Sequence, residues 1–117
     1  MCHVLVIEDD PFAAEDIRAT LADSGASSFS FADTESDALA CAREMRPEVI
    51  VSDVMLAQGL GPEAVRAIHG ELGQIPTIFI TGTPERCCGC DPQMIIEKPF
   101  SPARLETLFR TVAPAAA

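Results

Sequence analysis

The stretch Val49-Ile50-Val51-Ser52-Asp53 decides the fold. Three β-branched apolar residues run through a serine into one carboxylate, and the chain then breaks into Val54-Met55-Leu56-Ala57-Gln58-Gly59-Leu60-Gly61. A short apolar run of this kind reads as a strand buried on both faces, the habit of parallel sheets. A buried strand that ends in an acid sets that acid at the carboxyl edge of the sheet, where open α/β sheets bind their ligands.

Working outward, the same pattern recurs. Val4-Leu5-Val6-Ile7 is a second continuous apolar run, and it ends in Glu8-Asp9-Asp10. Pro11 then opens a helix with Asp10 as its N-cap, carried to about Ser24 by Phe12, Ile17 and Leu21, with Gly25 placed to end it. Ser27 to Ala32 is a weaker strand, followed by a Thr34/Asp37 capping pair and a helix with Ala38, Leu39 and Ala42 inward. Beyond the central stretch, Gly61-Pro62-Glu63 opens a helix with Val65, Ile68 and Leu72 inward. Pro76 to Thr81 and Met94-Ile95-Ile96 are the fourth and fifth strands. Ser101 caps a last helix, with Pro102 at its first position and Leu105, Leu108 and Val112 inward.

Five β-then-α units with short connections predict a doubly wound parallel sheet covered on both faces, in the flavodoxin-like (βα)5 order 2-1-3-4-5. The chain of 117 residues is enough for one domain, expected over residues 1–113, with a frayed alanine-rich tail at 114–117. The net charge of -10 argues against nucleic acid and against anionic lipid as partners. No apolar run approaches a membrane span, and the start carries no secretory pattern. Five cysteines, an odd number, point to free thiols in the cytoplasm rather than a disulfide framework.

In the flavodoxin-like order the first and third strands are neighbours, so Glu8, Asp9 and Asp53 meet at one sheet edge. Three carboxylates in one crevice repel one another unless a cation joins them. A hard divalent ion with oxygen ligands, Mg²⁺ or Mn²⁺, is the simplest answer. The fourth strand brings Thr81 and then Gly82 to the same edge; the fifth brings Lys98, the only lysine among eight basic residues. Carboxylates, a cation, a hydroxyl, a glycine N–H and one ammonium make a site for a phosphoryl group.

On these residues the chain resembles the receiver domain of two-component response regulators over essentially its whole length. The resemblance rests on Val6-Ile7-Glu8-Asp9-Asp10, on Val49 to Asp53, on Gly61 eight residues further, on Ile80-Thr81-Gly82 and on Lys98-Pro99-Phe100. It implies that Asp53 is the phosphoacceptor, taking a phosphoryl group from a histidine kinase or phosphotransfer protein. It implies Mg²⁺ held by Asp9, Asp53 and the Met55 backbone carbonyl, with Glu8 acting through a bound water. Lys98 would hold an aspartyl-phosphate oxygen, Thr81 would be the switch hydroxyl, and the Gly82 N–H a further donor. A phosphoacceptor switch with at most weak self-phosphotransfer and autophosphatase chemistry is then expected, signalling by protein contact to a downstream partner that the sequence does not name.

Two departures from the family pattern carry information. The segment from Thr81 to Lys98 is short for the family and holds Pro84, Gly89 and Pro92, so a short, irregular or missing fourth helix is expected. Ile95 stands where most receivers carry an aromatic switch residue. With Phe79-Ile80-Thr81-Gly82 and Pro84-Glu85-Arg86, the chain resembles an atypical subgroup that includes general-stress-response receivers and the single-domain "FAT GUY" type.

Other motifs in the chain have plainer readings. Cys87-Cys88-Gly89-Cys90 has three thiols without a clear fourth ligand, although Asp91, His69 or Cys2 could supply one; it reads as small thiols in a loop. His3 and His69 read as packing or surface residues. Gly59-Leu60-Gly61-Pro62-Glu63-Ala64 matches the dinucleotide fingerprint in letters, but it follows the third strand rather than the first. A small phosphatase or nucleotide-binding protein is the rival class. A hydrolase using an aspartyl-phosphate wants a second acid close after the nucleophile, and Val54-Met55-Leu56 offers none.

Overall fold

Five strands form one parallel sheet in the order β2-β1-β3-β4-β5: β1 His3–Ile7, β2 Ser28–Ala32, β3 Val49–Asp53, β4 Thr77–Thr81 and β5 Ile95–Glu97. The computed structural model describes residues 2–86 and 91–113. The flavodoxin-like expectation holds, and so do the strand positions, with ends shifted by a residue or two. β1 and the first four residues of β3 are buried, as continuous apolar runs require when both sheet faces are covered.

Helices α1 (Pro11–Ala22), α2 (Glu35–Glu44), α3 (Gly61–Leu72) and α4 (Pro102–Val112) cover the two faces. Alternation along each strand divides the core. Val4, Val6, Val49, Val51, Ile78 and Ile80 face α1 and α4, where Ile17, Leu21, Leu105 and Phe109 close the layer. Leu5, Ile7, Ile50 and Phe79 face α2 and α3, where Ala38, Ala42, Val65 and Ile68 close it. Leu72 and Val112, expected inward, are only partly buried at the rims of these clusters, whereas Phe109 is a main core residue.

The local signals act as read. Asp10 Oδ1 accepts from the Phe12 N–H at 2.9 Å, Thr34 Oγ1 from the Asp37 N–H at 3.1 Å, and Ser101 Oγ from the Arg104 N–H at 3.4 Å. Each satisfies an amide that the first helical turn leaves unpaired. Gly25 does take a left-handed conformation (φ 109°), but α1 is capped earlier, at Asp23. His3 is a packing histidine: its ring nitrogens lie 2.7 Å from Ser28 Oγ and 2.8 Å from Ser30 Oγ, and burial pushes its pKa down. His69 Nε2 lies 3.0 Å from the Ile75 carbonyl oxygen.

Between β4 and β5 the described residues hold no α-helix, only two single 3₁₀ turns, Pro84–Arg86 and Pro92–Met94. The expectation of a missing or irregular fourth helix holds for them. Cys87, Cys88 and Cys90, and the tail at 114–117, lie outside the described residues. Cys2 and Cys41 are free thiols.

Candidate functional site

The carboxyl ends of β1 and β3 lie side by side, with Ile7 in register with Ser52. The next residue along each strand is therefore an acid, Glu8 after β1 and Asp53 at the end of β3. One oxygen from each of Glu8, Asp9 and Asp53 lies within 4.8 Å of the others. These three groups converge as the sequence predicted. The donor set is all oxygen, which is the chemistry Mg²⁺ or Mn²⁺ takes, and it has room for retained waters because Asp9 is exposed.

Lys98 enters the same cluster from the far side of the sheet. Its backbone N–H bonds the Thr81 carbonyl at 2.8 Å, which anchors the residue after β5 to the end of β4. The peptide bond that follows it, to Pro99, is cis. Its ammonium donates to Glu8 Oε1 at 2.9 Å and to Asp53 Oδ2 at 3.0 Å. One cation thus bridges two acids that are 90 and 45 residues away in sequence.

Burial sets the charge states. The Glu8 side chain is 1% exposed. Removal from water pushes its pKa up to about 7, reinforced by the Asp53 charge and opposed by the Lys98 bond. Burial works against the Lys98 charge too, but its bonds to Glu8 and Asp53 outweigh that and hold the ammonium above its ordinary pKa. Asp53 itself is partly open, with its Oδ1 accepting from the Val54 N–H at 2.7 Å and its Oδ2 on Lys98. A carboxylate fixed at both oxygens, and reachable, is positioned to act as a nucleophile.

Thr81 ends β4 at the same edge and is 1% exposed. Its hydroxyl lies 3.2 Å from Thr83 Oγ1 and accepts from the Thr83 N–H at 2.9 Å, so it is engaged with Thr83 rather than with the acids. Gly82 is exposed, with open space where a side chain would stand. The Met55 carbonyl sits in a turn closed by two bonds, from the Gly61 N–H to the Val54 carbonyl at 2.8 Å and from the Leu56 N–H to the Gly59 carbonyl at 3.2 Å. Met55 and Leu60 face each other across that turn, and neither closing bond uses the Met55 carbonyl.

Three contributors were missed from the sequence. Thr83 holds the Thr81 hydroxyl. Ser52 Oγ donates to the Asp53 carbonyl at 2.7 Å, beside Gly61. Glu35 on α2 accepts from the Leu60 N–H at 2.9 Å. None was given a role from the sequence, although Ser52 lies next to Asp53 and Thr83 next to Gly82. The glycines of the dinucleotide-like stretch serve internal packing: a Cβ on Gly61 would overlap the Asp53 carbonyl, and one on Gly59 would overlap the Glu35 carboxylate.

Comparison with known proteins agrees with this geometry. The response regulator receiver domain family matches residues 4–110. The Phyllosphere-induced regulator PhyR of Methylorubrum extorquens is 36% identical over 112 residues, covering 92% of this chain and 42% of that protein. The receiver domain of PhyR from Erythrobacter litoralis superposes with a TM-score of 0.86 at 28% identity, covering 99% of this chain and 96% of that one. PhyR from Brucella abortus gives 0.83 at 30% identity, covering 96% of this chain and 47% of that one. The chain thus spans about half or less of the full-length relatives it matches. Receiver domains are switches of two-component signalling that bind Mg²⁺ at an acidic pocket, and the cluster of Glu8, Asp9 and Asp53 supplies such a pocket here. The chain belongs to the response regulator receiver domains, with its likeness among those of the PhyR type.

Proposed function

We propose that Asp53 accepts a phosphoryl group from the phosphohistidine of a partner kinase or phosphotransfer protein. A carboxylate oxygen of Asp53 forms the new bond to phosphorus while the phosphorus–nitrogen bond breaks. The electron pair leaves with the imidazole, and an aspartyl-phosphate remains. The observation that carries this reading is the cluster itself: three carboxylates within 4.8 Å and the Lys98 ammonium 3.0 Å from Asp53.

Asp9, Asp53 and the Met55 carbonyl would hold Mg²⁺ or Mn²⁺, with Glu8 acting through water. A bound divalent ion supplies charge neutralisation for the phosphoryl oxygens. Lys98 moves its hydrogen bond from the carboxylate to a phosphoryl oxygen, and the Gly82 N–H adds a donor. Thr81 leaves Thr83 for the phosphoryl group, and that exchange is the switch.

The output is protein contact. PhyR of Bartonella quintana is described as an anti-anti-sigma factor and aligns at a TM-score of 0.82 with 31% identity, with this chain covering 46% of it. We infer that the present chain likewise signals through contact with a protein partner. The test is an amide NMR map with beryllofluoride, a phosphoryl mimic, in Mg²⁺. Shifts confined at first to Asp53, Thr81, Gly82, Thr83 and Lys98 are expected; an unchanged spectrum at saturating mimic overturns the reading.

A further inference from the structure

Helix α3 begins without a cap of its own. Leu60 holds the N-cap position, and its apolar side chain makes no capping bond. The Leu60 N–H is instead taken by Glu35 Oε2 at 2.9 Å, across 25 residues of sequence. Glu35 is half-buried in the first turn of α2, just after Thr34, and Thr34 bridges to Gln58 in the same turn. Gly59 has a φ of 97°, and any side chain there would occupy the space of the Glu35 carboxylate. The turn at Gly59 and Leu60 is thus built against that carboxylate.

We propose that Glu35 is a positioning residue of the phosphoryl site: it latches the turn between β3 and α3 to α2, and so fixes the Met55 carbonyl that serves a divalent ion. The inference rests on the phosphoacceptor reading, because it concerns a ligand of that site. The logic is local. Met55 and Leu60 are opposed in the turn, and the closing bonds belong to their neighbours. With the Leu60 N–H tied to Glu35, one side of the turn cannot slide, and the opposed Met55 backbone keeps its place. A ligand held in position before the ion arrives costs less ordering on binding, which is how outer contacts tune metal affinity.

The test measures Mg²⁺ dissociation constants by calorimetry for the wild type, Glu35→Ala and Glu35→Gln, with amide NMR as the structural readout. Glu35→Ala is expected to weaken Mg²⁺ binding about fivefold, the size of one lost hydrogen bond. Its amide shifts should be confined to the turn, with Leu60 moving upfield. Glu35→Gln keeps an acceptor oxygen at the same reach and should bind within about twofold of the wild type, again on hydrogen-bond grounds. Gly59→Ala crowds the same carboxylate and should reproduce the loss. An unchanged constant in Glu35→Ala overturns the latch. So does an equal loss in Glu35→Gln, since charge rather than the bond would then be the cause. A wild type that takes no Mg²⁺ brings down the receiver reading as well, so the two failures are distinct.

Discussion

Lys98 Nζ lies 3.0 Å from Asp53 Oδ2, so the only lysine of the chain neutralises the candidate nucleophile directly. The same ammonium holds Glu8 at 2.9 Å. Lys98→Met leaves two carboxylates facing each other with no cation between them. The metal-free protein should lose about 1–3 kcal/mol of stability, the cost of stripping the partner from a partly buried pair. Urea denaturation in chelator checks this, and Mg²⁺ should recover part of the loss. A loss below about half a kcal/mol, the level of an ordinary surface change, would contradict it.

The Glu8 carboxyl titrates at about 7 in the fold, against an ordinary 4.5, because it is buried. Below about 4.5 both folded and unfolded chains hold the proton, and the full stability is present. As pH rises from there through about 7, the unfolded chain gives up its proton first, and folding loses stability. The metal-free wild type should therefore fall by up to about 3 kcal/mol relative to Glu8→Gln across that window. Denaturation profiles of the two proteins between those pH values decide it; parallel profiles would show that Glu8 is ionised throughout.

Gly61 is required by a close approach, not by an unusual backbone angle. A Cβ there would overlap the Asp53 carbonyl and crowd Ser52 Oγ. Backbone cannot yield as a flexible side chain can. Gly61→Ala should cost about 2–4 kcal/mol, in the range of strained or overpacked sites, and should shift the Asp53 and Val54 amides. Gly70→Ala is the control: open space surrounds that position in α3, and alanine there should be neutral or stabilising by up to about 1 kcal/mol. Equal effects at the two glycines would contradict the account.

The strands and caps were legible because their signals are local. Apolar runs ending in Glu8, Asp53 and Thr81 place those residues at one edge once the strand order is known. Asp10, Thr34 and Ser101 each bond an amide two or three residues away, so sequence spacing reveals them. Glu35 could not be found this way. Its partner is 25 residues distant, and an acid in a helix's first turn already has a sufficient reason to be there. Thr83 was hidden by Thr81, whose stronger pattern absorbed the reading. Phe109 completes the 105-108-109-112 stripe of α4, a period visible in the sequence but read one residue short.

The most direct measurement is intact-protein mass spectrometry after incubation with acetyl phosphate, with and without Mg²⁺, on the wild type and Asp53→Asn. The account predicts one phosphoryl adduct on the wild type, formed only with Mg²⁺, and none on Asp53→Asn while its fold is kept. An adduct of full stoichiometry on folded Asp53→Asn would contradict it, because the nucleophile would then be another residue.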